Sequence, residues 1–219
     1  MILPQPVRRG HANLTLCLLI SLVLLLGCQP IQAPTPTPDP NATPTTESTP
    51  TEEPTPTPAP PALPPVALRM PDLALELPIT PMGWVVTDSN GQRTTEWIVP
   101  IDTVGWHVNS AGAGGSGNTV LSGHQSTGAA VFAPLALGDI TVGQELQLVN
   151  EQGAVFRYQV TEISEPIPLV GATEEDTALA QTYVAPTDTA QLTLMTGWPD
   201  FTTTHRIFAV AEYLGPEAE

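Results

Sequence analysis

Two short stretches place side chains able to do proton and anion chemistry at the ends of apolar runs. The first is Leu121-Ser122-Gly123-His124. The second is Gln191-Leu192-Thr193-Leu194-Met195-Thr196, which runs into Gly197, Trp198 and Pro199, with Arg206 opening the next apolar run. Imidazole is the side chain whose ordinary pKa suits proton transfer near neutrality. Guanidinium is a permanent cation whose planar donors match a carboxylate or an oxyanion. Such a pair ordinarily serves a nucleophile held within reach of the base. Position 197, where the strand climbs toward a reactive spot, is a glycine and supplies none. Strand alternation turns Thr196 to the opposite face. Ser122 shares the face of His124 but needs activation. Asp200 and residues 202–204 lie on the following loop, and Cys28 is remote.

Taken singly, each of these residues has an ordinary role. His124 fits a strand-end histidine, and Arg206 fits a surface pair with an acid such as Asp200, a contact that contributes little. His107 and His205 read as solvent-facing loop or strand-start residues, without metal-ligand spacing. Trp84, Trp97, Trp106 and Trp198 read as core or rim residues, and Trp198, beside position 197, is a candidate groove residue with Ser122 and Thr196. The cluster Glu174-Glu175-Asp176 reads as the first turn of a helix rather than a calcium site. No metal site and no cofactor are expected.

The elements that must position these groups are mostly strands. Residues 73–77, 96–101, 118–122, 145–150, 155–163, 191–196 and 206–213 each carry strand character, and Glu151-Gln152-Gly153 marks a hairpin turn. Two short helices are expected, near 131–137 and over 174–183. Many short strands with few helices predict a mainly β, closed or partly closed barrel.

Composition narrows the partners. The chain of 219 residues has no Lys, six Arg and 22 acidic residues; all the acids and four of the Arg lie after position 28, leaving a net charge of −18 there. Affinity for nucleic acid comes mainly from Lys and Arg on phosphates, so no nucleic-acid partner is expected, and anionic headgroups are equally disfavoured. The two Cys, Cys17 and Cys28, precede the folded part, which therefore lacks a disulfide and a thiol of its own.

Residues 1–28 read as a targeting segment. Arg8-Arg9 precede an apolar run over 14–26 that is too short to span a bilayer comfortably, and Leu25-Leu26-Gly27-Cys28 resembles the lipobox of bacterial lipoproteins. That resemblance implies lipidation of Cys28 and an extracytoplasmic, membrane-anchored protein. Residues 29–65 are Pro/Thr-rich and read as a disordered linker. In polyproline II, at ~3.1 Å per residue, it reaches on the order of 100 Å. Residues 66–215 form the globular domain and 216–219 a tail.

In order and spacing, the motifs of this domain resemble the sortases, cysteine transpeptidases of bacterial surfaces. They are Gly123-His124 after an apolar strand, Phe132, Leu135, Gly138 and Asp139, then Leu192-Thr193-Leu194-Met195-Thr196, then Arg206. Val104-Gly105-Trp106 looks most like the class E or F members. The resemblance implies a sortase-like closed barrel with one or two short helices. It also implies His124 as the acid, Arg206 as the oxyanion or substrate holder, and a nucleophilic Cys where Gly197 stands. It thus implies a degenerate, non-transpeptidating domain that keeps His124 and Arg206 around an open gap and binds LPXTG-like peptides or cell-wall components. An active enzyme with a substitute nucleophile and a structural envelope module are the alternatives.

Overall fold

The computed structural model describes residues 62–89 and 92–218. The targeting segment, Cys28 and the linker up to residue 61 lie outside the described residues. Among the described residues no helix is long and apolar enough to cross a membrane.

Eight strands close on themselves. β1 (Pro65–Met70) lies between β2 (Leu75–Met82) and β7 (Glu145–Asn150), and β8 (Val155–Ile163) lies between β7 and β11 (His205–Pro216). On the other side β2 meets β5 (Val104–His107), then β6 (Asn118–Ser122), then β10 (Gln191–Trp198); pairing of β10 with β11 completes the ring. Closure leaves the ring no free edge. β2–β5 and β6–β10 are parallel and the other ring pairs antiparallel. Two-residue β9 (Ile167–Pro168) pairs with the start of β11. β3 (Trp84–Ser89) and β4 (Gln92–Trp97) form a separate hairpin.

Alternation fills the barrel. Leu192 and Leu194 of β10, Leu121 of β6, Leu146 and Leu148 of β7, Phe156 and Tyr158 of β8 and Ala209 and Ala211 of β11 are fully buried and point inward. Each such Leu or Phe side chain contributes roughly 1.5–3 kcal/mol on leaving water. Two helices lie outside the ring. α1 (Ala133–Leu137) ends at Gly138, whose φ of 83° is left-handed and lets its N–H close on the carbonyls of Leu135 and Pro134. α2 (Glu174–Val184) starts with a capping box: Thr173 accepts from the Asp176 amide, and Asp176 accepts from the Thr173 amide. The acidic cluster is thus the helix start.

The mainly β barrel with two short helices agrees with the reading of the sequence, and three strands, 118–122, 145–150 and 155–163, have the expected bounds. Residues 73–77 are not one strand: a 3-10 turn, Pro71–Leu73, precedes β2, and Ala74 is left-handed at φ 51°. Residues 96–101 are not a strand either. β4 ends at Trp97, and Pro100, which has no amide hydrogen to donate, lies beyond it.

Candidate active-site groove

The outer face of the barrel over β5, β6, β10 and β11 is the floor of a groove of about 1080 Å³, walled by β4 on one side and α2 on the other. His107, Ser122, His124, Gly197 and Arg206 all line it.

Register sets this arrangement. On β10–β11, Gly197 stands directly opposite Arg206. On β10–β6, Met195 stands beside Ser122, and the Gly123 amide still donates to the Met195 carbonyl at 3.3 Å. Two residues further along, His124 and Gly197 follow the same direction, so His124, position 197 and Arg206 share one face of three adjacent strands. Gly123 is required by packing: a Cβ there would lie 2.8 Å from Val131 Cγ2 and 2.9 Å from the Phe132 ring. That close approach lets the Phe132 amide donate to the His124 carbonyl at 3.0 Å, which fixes the backbone of the histidine, and its ring is half-buried.

Position 197 is not an open gap, and here the structure corrects the expectation. A Cβ built on Gly197 would lie 2.6 Å from Gln125 Nε2, 2.6 Å from Thr203 Oγ1 and 2.9 Å from Gln125 Oε1. The Gln125 carboxamide fills the space. Its Nε2 donates to Thr203 Oγ1 at 2.8 Å, to the Thr202 carbonyl at 3.0 Å and, weakly, to the Pro199 carbonyl at 3.4 Å. Only 5% of Gln125 is exposed. A buried amide is held in place by such bonds, because leaving it unpaired is costly. Loop residues 202–204 do reach in, as their position allowed, through Thr203.

His107 is a second correction. It is 6% exposed rather than solvent-facing. Its Nε2 lies 2.7 Å from Ser122 Oγ, and its ring packs on Trp97 with centroids 4.2 Å apart. Burial, helped by the nearby Arg206 charge, lowers the His107 pKa to about 4, so the ring is neutral at neutral pH. Reading residue by residue missed it because neither β5 nor the Trp97 contact is a local feature. The available signal was Val104 and Trp106, two apolar residues that share the inward face of β5 and so put 105 and 107 on the outer face with Ser122. His205 does begin a strand, half-buried, with Nδ1 2.9 Å from Thr204 Oγ1.

Arg206 has no ion pair among the described residues; Arg69 pairs with Glu76 and Arg157 with Glu145, but Asp200 does not reach it. Desolvation lowers the Arg206 pKa from its ordinary value, although the residue is still exposed over part of its surface; it stays charged at any physiological pH. Thr196 borders the groove while its hydroxyl donates to the Gly123 carbonyl at 2.8 Å. Trp198, on the alternate face, is not a groove residue: it packs against the core and meets His205 edge-on.

The chain is thus an eight-stranded closed barrel with a groove on its outer face, where His124 and Arg206 flank the end of β10. Sortase E1 from Streptomyces coelicolor, solved with a tripeptide in its active site, is similar over 73% of this chain and 93% of that one, at 18% identity and a TM-score of 0.50. Sortase A from Listeria monocytogenes (22% identity, TM-score 0.49, covering 70% of this chain and 89% of that one) is a further match. Sortase A from Corynebacterium diphtheriae (24%, 0.48, 72% and 63%) is another. No curated protein matches the sequence significantly. The family model of the sortase domain matches residues 68–214, more than half of the chain. The chain belongs to the sortase family.

Proposed function

We propose that this chain is an extracytoplasmic sortase-fold protein that holds an extended, sorting-signal-like peptide in the outer groove and does not transpeptidate. The observation that carries the reading is the Gln125 carboxamide seated over Gly197, between His124 and Arg206. On this reading position 197 is the nucleophile's place. With glycine there and an amide packed onto it, no thioester forms, and loss of a nucleophile removes nearly all the catalysis that its partners support. His124 and Arg206 then serve as groove donors. Lipidation of Cys28 tethers the protein to the membrane, residues 29–65 hold it away from the surface, and Val104-Gly105-Trp106 favours the class E or F branch.

The test is titration with a panel of LPXTG-type peptides, followed by chromatography of the peptides. Binding with the peptide recovered intact is the expected result. Absence of binding to every peptide overturns the reading in favour of a structural envelope module.

One observation favours a second reading, an active hydrolase. Ser122 Oγ lies 2.7 Å from a neutral His107 imidazole, the geometry of a hydroxyl nucleophile and its base. A pKa of about 4 makes His107 a weak base at neutral pH, where the best general base titrates near the working pH. Cleavage by the wild-type protein that is abolished in Ser122→Ala would establish this second reading.

A further inference from the structure

Arg206 is a groove-lining cation with no acidic partner among the described residues. The sequence has no Lys and 22 acidic residues against six Arg, so carboxylates greatly outnumber cations. Even so, among the described residues no acid pairs with Arg206 and none of its guanidinium donors is hydrogen-bonded, whereas Arg69 and Arg157 each hold a glutamate. The groove around it is built the same way. Among the described residues Glu96, on the β4 wall, is its one acidic lining residue, and the floor beside Arg206 is Ser122, His124, Gly197 and Phe208. A guanidinium left without a counterion where the rest of the molecule supplies so many is a receptor for an anion brought by a ligand.

The floor also limits which part of a ligand reaches it. Gln125 and Thr203 stand on position 197, directly opposite Arg206. A strand-like peptide laid along the floor meets this raised point, and the part beside Arg206 is its end. A single guanidinium balances a single negative charge, which fits a carboxylate rather than a phosphate dianion.

We propose that the groove recognises peptides by a free C-terminal α-carboxylate, held by Arg206 beside the Gln125–Thr203 plug. This deepens the peptide-binding reading above and rests on it. The preferred ligand is then a cleaved peptide end, the product of a hydrolytic or transfer reaction, and an uncut chain binds the same groove more weakly.

The experiment compares acetyl-Leu-Pro-Ala-Thr as the free acid with the same peptide as its C-terminal amide, by titration calorimetry on the whole protein. A third arm is the amidated peptide ending in Asp, whose carboxylate is on the side chain, and a fourth is inorganic phosphate as competitor. Hydrogen bonds to a charged group are among the strong ones, so the free acid is expected to bind about ten- to hundredfold tighter than the amide. That preference should vanish in Arg206→Gln, shrink in Arg206→Lys, which keeps the charge but loses the planar fork, and persist in Arg69→Gln. Circular dichroism confirms that each variant is folded, and the Lys variant serves if the Gln variant is not. Equal binding of acid and amide overturns the proposal while leaving peptide binding intact. So does a preference that survives in Arg206→Gln, equal capture of the Asp-ended amide, or displacement by phosphate at concentrations comparable to the peptide's. Failure of every peptide to bind overturns both this proposal and the reading beneath it.

Discussion

Adding one methyl group at position 197 separates a filled site from an empty one. In the interior of a strand, replacing Gly by Ala removes a backbone-entropy penalty and is expected to stabilise by roughly 0.5–1 kcal/mol where the new Cβ has room. Here it has none: Gln125 Nε2 and Thr203 Oγ1 both lie 2.6 Å from the Cβ position. Thr203 is exposed on a loop and can turn, but Gln125 is buried and must give up its bonds to Thr203 Oγ1 and the Thr202 carbonyl. Two net hydrogen bonds at ~0.5–1.5 kcal/mol each amount to ~1–3 kcal/mol, more than the backbone gain. Gly197→Ala should therefore destabilise by roughly 1–2 kcal/mol. The same change in a Gln125→Ala background should be neutral or stabilising. Urea unfolding of the four proteins of this cycle, followed by tryptophan fluorescence, reads a coupling of at least about 1 kcal/mol. A Gly197→Ala protein as stable as the wild type, or no coupling between the two sites, would refute the account of the plug.

Three other outcomes follow from the same geometry. Gly197→Cys alone should give little thiol-dependent cleavage of sorting-signal peptides, because the new side chain enters occupied space, whereas Gly197→Cys combined with Gln125→Ala should give more; a thiol blocker identifies the activity in either case. His107 titrates at about 4 in the fold against an ordinary value of 6.5, so its neutral form is the native one. Its contribution is complete above pH 6.5 and is lost as pH falls toward 4, by ~2 kcal/mol at pH 5. His107→Gln, which can still reach Ser122, should flatten that part of the pH–stability curve, measured as the difference from wild type. Thr173→Ala removes one arm of the capping box of α2 and should lower stability by about 1 kcal/mol, read from thermal or urea unfolding.

Alternation made the barrel readable. Leu192 and Leu194 with polar residues between them marked β10, and Leu146 and Leu148 marked β7, because a period of two is a local signal. The β3–β4 hairpin was less visible although Asn90-Gly91, a dipeptide favoured in two-residue hairpin turns, lies between its strands in the sequence. Trp84, Val85 and Val86 in succession obscure the alternation that would have marked β3.

The site was readable as a set of residue types but not as a set of contacts. Gly123-His124, Gly197 and Arg206 sit at strand ends, and the register that brings them to one face follows from pairing once the strand order is known. Gln125 carried no signal. Its amide reaches the Pro199 carbonyl across 74 positions of sequence, and its place depends on a side chain that Gly197 lacks. His107 was misplaced for the same reason: its burial comes from Trp97 above and Ser122 beside it, contacts that no local pattern encodes.

The most direct test of the central claim is the intact mass of the wild-type protein after incubation with sorting-signal peptides, with rapid acid quenching to trap acyl intermediates. The unchanged protein mass, together with peptide that binds and is recovered whole, is the predicted result. A stable mass increase equal to an acyl fragment of the peptide would contradict it, and its location on Ser122 or elsewhere would identify the nucleophile that this account says is missing.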